Sequence, residues 1–168
     1  QNLVLYAILA FIYSVTSVIF PRLTMLAARN DMEGFKNSLF KVLKSVLYFM
    51  IPAAAGFIAV RYQLIDFLYG WGKVTADNVL LASRMLALYA LGVIGIGVKE
   101  VVDRAFYSLK DTKRPAINGV IIMLVNIGVS LVLVSYIGVL GIPVAYSISA
   151  LTGAFVLIIM VRTKIGPF

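Results

Sequence analysis

Lys99, Glu100, Asp103 and Arg104 cluster within about a turn and a half of helix in this 168-residue chain and bring two carboxylates together with two cations. Residues three and four apart are neighbours on a helix, so the four share one patch, and Glu100 with Arg104 at i, i+4 is predicted to form an ion pair. Two carboxylates set this close to two cations are poorly placed for metal or general-base chemistry. The rest of the inventory narrows the chemistry further. There is no His and no Cys, which excludes imidazole and thiolate metal ligands, disulfides and the usual proton shuttle. Asp and Glu total seven, and none has the spacing of a HExxH-type or paired-carboxylate metal site. No enzyme, no metal and no cofactor are therefore expected; a membrane-embedded transferase would need a fuller carboxylate cluster. Arg84 stands alone about five residues, roughly 8 Å, inside an apolar run, where it either snorkels outward or lines a cavity and meets an anion. Asn118 and Asn126 lie in another apolar run. Each is expected to make an interhelical hydrogen bond of roughly 0.6 kcal/mol in preference to a substrate contact.

The elements that must position these residues follow from composition. The chain is 62% hydrophobic and 13% charged, with a mean hydropathy of +1.01, where soluble domains carry roughly a quarter charged residues. The bilayer is therefore its expected solvent. A hydrocarbon core about 30 Å thick needs about 20 apolar helical residues, and five runs qualify: 2–20, 42–60, 79–98, 116–136 and 144–161. This predicts an all-α fold, a polytopic membrane helix bundle forming a single membrane domain over 1–168. Pro52 interrupts the second run and predicts a kink there. Gly92, Gly95 and Gly97 in the third suit close helix packing or a hinge, since no strand precedes them to make a dinucleotide loop.

Basic residues alternate along the connections. The first holds Arg22, Arg29, Lys36, Lys41 and Lys44, the second Arg61 and Lys73, the third Lys99, Arg104, Lys110, Lys113 and Arg114, the fourth none, and the end Arg162 and Lys164. The positive-inside rule puts the first and third connections and the C-terminus in the cytoplasm. The net charge of +8 is divided among these flanks, which points to anionic lipid head groups and not to nucleic acid. Tyr62, Tyr69, Trp71 and Tyr136 suit an interfacial belt. The chain opens at Gln1 with no basic leader and stops soon after an apolar run, so both ends are expected to continue into something longer.

Two connections have a shape of their own. FKNSLFKVLK reads as an amphipathic lead-in to the second span, lying on the cytoplasmic surface as an anchor or to capture a lipid substrate. RYQLIDFLYGWGKVTADN predicts a short interfacial helix, a tight turn at Gly70 and Gly72, and Thr75 or Asp77 as the next helix cap. The third span keeps helical character through Leu109; DTKRP then ends it, with Pro115 suited to the first turn of the next helix.

The run KEVVDRAFYSLKDTKRP, with Lys99, Arg104, Ala105, Phe106, Tyr107, Asp111, Thr112 and Pro115, resembles the signature between the tenth and eleventh helices of the lipid II flippase family (MurJ, also called MviN). VIFPRLT, LYGWGKVTADN, LALYALG and GVLGIPVAYSIS match in the same order, so the resemblance covers nearly the whole chain. It implies helices 8 to 12 of a fourteen-helix flippase, part of its second lobe, in the bacterial cytoplasmic (inner) membrane. The implied substrate is lipid II, an undecaprenyl-diphosphate-linked disaccharide pentapeptide, moved to the outer leaflet by alternating access for peptidoglycan synthesis. The implied partner in that work is the rest of the same flippase chain. The family's best-known cavity arginines have no matching positions here. Arg22, Lys99 and Arg104, at inner helix ends, are expected either to line or latch the cytoplasmic entrance or simply to fix orientation. Rival readings are an O-antigen or capsule lipid-linked sugar flippase of the same superfamily and a non-transporting structural subunit.

Overall fold

The computed structural model describes residues 2–70 and 75–166 and contains six α-helices among them: α1 (Asn2–Ala28), α2 (Met32–Ala59), α3 (Arg61–Tyr69), α4 (Ala76–Ser108), α5 (Lys113–Ile137) and α6 (Gly141–Ile165). Trp71, Gly72 and Lys73 lie outside the described residues. Three stretches are long and apolar enough to cross a membrane: Met32–Ala59, Ala76–Ser108 and Lys113–Ile165, the last folding back at Gly138 into the α5–α6 hairpin. Each arm of that hairpin has 25 residues, about 38 Å of helix, enough to span alone.

Local chemistry sets the breaks. α1 closes on Asn30 in the left-handed region (φ 54), a conformation Asn tolerates because its short side chain can bond locally. Asp31 then caps α2, its Oδ1 accepting the Gly34 N–H at 2.8 Å. α4 ends the same way, with Lys110 at φ 56 and the Asp111 N–H donating to the Phe106 carbonyl at 3.0 Å. Gly138, at φ 61, turns α5 into α6 through a short 3-10 segment.

The hub is α4, which packs on α1, α2, α3 and α6. Gly141 abuts Leu133, Asn126 bonds Ser149 and Arg114 reaches Met160, so α5 and α6 run antiparallel in one fixed register. Gly92 lies against Tyr146 and Ser147, and Gly95 against Ala150, so α4 and α6 run parallel. Little of α5 touches α4 directly, which opens a groove between them over α6. The main core joins Leu23, Phe35, Leu39, Val101, Val102, Phe106 and Leu157, all fully buried, at the end holding the α1–α2 and α4–α5 turns. A smaller cluster of Ile65, Val79 and Leu86 lies under α3 at the opposite end.

One expectation is corrected here. FKNSLFKVLK is the start of the helix that forms the second span, α2 being continuous from Met32, but its apolar Phe35 and Leu39 are fully buried in the bundle and do not lie on the cytoplasmic surface. Pro52 stands inside α2, which is one 28-residue helix, as membrane helices allow. The outward face is apolar in a way water would not tolerate, with Val18 at 79%, Tyr48 at 75%, Leu131 at 72% and Tyr136 at 81% exposure. Thr75 takes the N-cap position of α4 with extended backbone, and Asp77 falls in the first turn.

The turns of the basic connections gather at one end. Lys164 near the end of α6 bonds Asp111 of the α4–α5 turn, and Thr24 and Asn30 share a small pocket with Ser108 and Lys110. Among the described residues only Arg61 and Arg84, of all Lys and Arg, belong to the other half of the bundle. The alternation read from the sequence is thus a physical separation of charge along the bundle axis.

Candidate functional site

The groove between α4 and α5 holds about 470 Å³. Its walls are Ile96, Lys99 and Glu100 from α4 and Gly119, Ile122, Met123 and Asn126 from α5; Tyr146, Ser149 and Ala150 of α6 form the floor, and Tyr13 of α1 flanks it. Residues at i, i+3 and i+4 share a helix face, so 96, 99 and 100 reach the groove together. Lys99 lines it with its ammonium already engaged, the Nζ donating at 2.6 Å to Asp103 Oδ2 one turn away. Asp103 is buried, and its Oδ1 has no hydrogen-bond partner.

The expected pair Glu100–Arg104 does not form. The ion pair of this helix joins Lys99 to Asp103, and the Arg104 Nε is buried without a hydrogen-bond partner. In an isolated helix, Glu placed four residues before a cation is the better pairing. Here burial of Asp103 decides, because a buried carboxylate without a cation is far costlier than a half-exposed one. Arg22 and Arg84 are both exposed and neither lines the groove. The four cationic candidates are therefore not gathered: Lys99 reaches the groove, Arg104 is partly buried one turn beyond Glu100, and the other two face outward.

The two asparagines divide. Asn126 Nδ2 donates to Ser149 Oγ at 3.3 Å across the α5–α6 seam, and Ser149 Oγ donates to the Tyr146 carbonyl at 2.9 Å. Asn118, fully buried, bonds through neither side-chain atom, against expectation. It faces Gly153 of α6, which offers no side chain. Tyr146 is braced edge-on by Tyr89, with ring centres 5.1 Å apart.

The polar strip after α4 is a clamp. Asp111 accepts from Lys164 of α6 and from the Arg114 backbone N–H, and lies 3.7 Å from the Arg114 Nε. The Lys164 ammonium, aided by Arg114, holds the Asp111 carboxyl below the usual carboxylate range. Arg114 also donates to the Met160 carbonyl at 3.1 Å and sits over the buried Phe106 ring, 5.8 Å from its centre. Pro115 is buried in the first turn of α5, Tyr107 is 40% exposed, and Thr112 occupies the N-cap position without a side-chain bond. Arg114 and Lys164 were not singled out from the sequence. Their partners lie 46 and 53 residues away, and only the adjacency of Arg114 to the DTK turn hinted at a role.

A family model described as lipid II flippase MurJ matches residues 3–167. The chain belongs to the lipid II flippase MurJ family. Among MurJ relatives, the lipid II flippase MurJ of Thermosipho africanus is 31% identical over 153 residues, covering 91% of this chain and 31% of that protein. The probable lipid II flippase MurJ of Thermotoga maritima is 27% identical over 129 residues, covering 76% and 27%. A solved structure, lipid II flippase MurJ in an inward closed conformation, superposes with a TM-score of 0.83 at 30% identity, covering 96% of this chain and 36% of that one. The chain thus spans about a third of the length of the MurJ relatives it matches. The MurJ likeness accords with the all-helical bundle of apolar helices described above, a membrane protein fold.

Proposed function

We propose that this chain works in a lipid II flippase of the bacterial cytoplasmic membrane, as a transporter and not an enzyme. The supporting observation is the groove. Charged Lys99 and Glu100 line a cavity at the basic end of a bundle of apolar helices, and ionisable groups that face the interior of such a bundle ordinarily mark a transport path. A diphosphate cannot enter hydrocarbon unaided, since an isolated ion there costs tens of kcal/mol. A polar path between the lobes of the whole flippase, opened first to one side and then to the other, removes most of that cost. An inside-negative potential assists outward movement of the anion by about 2.3 kcal/mol per charge per 100 mV.

In this reading the basic half faces the cytoplasm, the C-terminus included, and its cations attract both anionic lipid head groups and the anionic substrate. Arg22, Lys99 and Arg104 steer the diphosphate to the entrance, with Lys99 latched by Asp103 until the groove is occupied. The remaining lobe is supplied by the same flippase chain.

The test is lipid II export in cells depleted of their own flippase and supplied with the full-length protein. Restored export is expected, and Ala at Arg22 and Arg104 together lowers its rate several-fold at normal membrane levels. Restored export of O-antigen precursors with no lipid II export would reject the substrate; no export of either would favour a structural subunit.

A further inference from the structure

We infer that the α4–α5 groove seats the saccharide portion of the lipid-linked substrate, with Glu100 and Asn126 as its specificity-determining residues, and not the diphosphate. The inference rests on the flippase reading and names the part of the substrate this site takes.

Charge argues it first. Despite the excess of cations in the chain, the cation that reaches the groove, Lys99, is neutralised by Asp103 at 2.6 Å. Glu100 lines the same wall and has no ion-pair partner among the described residues. With Lys99 engaged by Asp103, the groove wall offers no free cation to a diphosphate, while the Glu100 carboxylate is placed to accept hydroxyl and amide hydrogens. Arg104 is not among its lining residues.

Shape and lining argue it second. The volume, about 470 Å³, falls within the roughly 300–1,000 Å³ of small-molecule sites. Tyr13 and Tyr146 present rings with apolar faces and polar tips, suited to the C–H faces and hydroxyls of a pyranose. Tyr146 is fixed by Tyr89, and Asn126 by Ser149. Such a site is preorganised, so few side chains must be ordered when a sugar binds.

Binding of two probes to the full-length protein in lipid nanodiscs tests this: undecaprenyl diphosphate alone, and undecaprenyl diphosphate carrying the disaccharide without peptide. Glu100→Gln and Asn126→Ala are each expected to weaken the sugar-bearing lipid about tenfold while changing the bare diphosphate lipid less than twofold. Equal weakening of both probes, or of neither, would overturn the inference. Export separates it from the reading beneath: a protein that binds the sugar-bearing lipid through Glu100 yet exports no lipid II refutes the flippase and leaves the saccharide site standing.

Discussion

Gly95→Ala is expected to lose at least about 2 kcal/mol of stability, within the usual cost of forcing extra methyl groups into a packed interface. A methyl at Gly95 would sit 2.6 Å from the Ala150 carbonyl carbon and 2.8 Å from the Leu151 nitrogen, both backbone atoms of α6 that no rotamer change can move. α4 and α6 must separate, and with them the bond from Ser147 Oγ to the Leu88 carbonyl that joins them. Helices in lipid have little hydrophobic drive to associate and depend on such close fits. Gly128→Ala is the internal control: a methyl there meets nothing within 4 Å, so the helix gains up to about 1 kcal/mol of propensity. Denaturation of the detergent-solubilised protein in SDS measures both. Equal responses would mean that α4 and α6 are not in contact as described.

Lys99→Ala carries the second large effect. It leaves Asp103, whose side chain is 7% exposed, without the cation that Lys99, at 27%, supplies. Breaking a buried pair costs about 3–5 kcal/mol, and the part-exposure of Lys99 lowers the expectation to about 2–3 kcal/mol. Adding Asp103→Asn removes the stranded charge and is expected to recover more than half of the loss, giving a coupling energy above about 1 kcal/mol in a double-mutant cycle. Additive effects would show that the two groups do not interact. The variants also bear on function, because the unlatched Asp103→Asn protein returns a free ammonium to the groove, where the saccharide inference expects weaker sugar binding.

Much of this architecture was legible in the sequence because the forces that set it act along the chain. Apolar runs of bilayer length became helices, and the alternation of basic connections became the gathering of Asp111, Lys164 and Asn30 at one end. What failed did so where two local choices are equivalent until a third element arrives. Lys99–Asp103 and Glu100–Arg104 have the same spacing, and only the burial of Asp103 selects the first. Asn118 and Asn126 lie in one helix with equal prospects; the register of α6 sets Ser149 opposite one and Gly153 opposite the other. FKNSLFKVLK has the pattern of an interfacial helix, but its apolar face found the bundle and not the lipid surface. The clamp of Asp111, Arg114 and Lys164 lay beyond local reading altogether, since nothing near residue 111 announces a partner on α6.

The claim on which the account turns is that the α4–α5 groove lies on the path of the lipid-linked substrate. Gly119 lines it, and a Cβ there meets nothing within 4 Å, so Gly119→Cys fits without strain; this chain has no Cys of its own. Lipid II export by the full-length Gly119→Cys protein should be near normal, then fall to background once a bulky thiol reagent has reacted there, while the unmodified protein is unaffected. Undiminished export by a fully labelled protein would contradict the account.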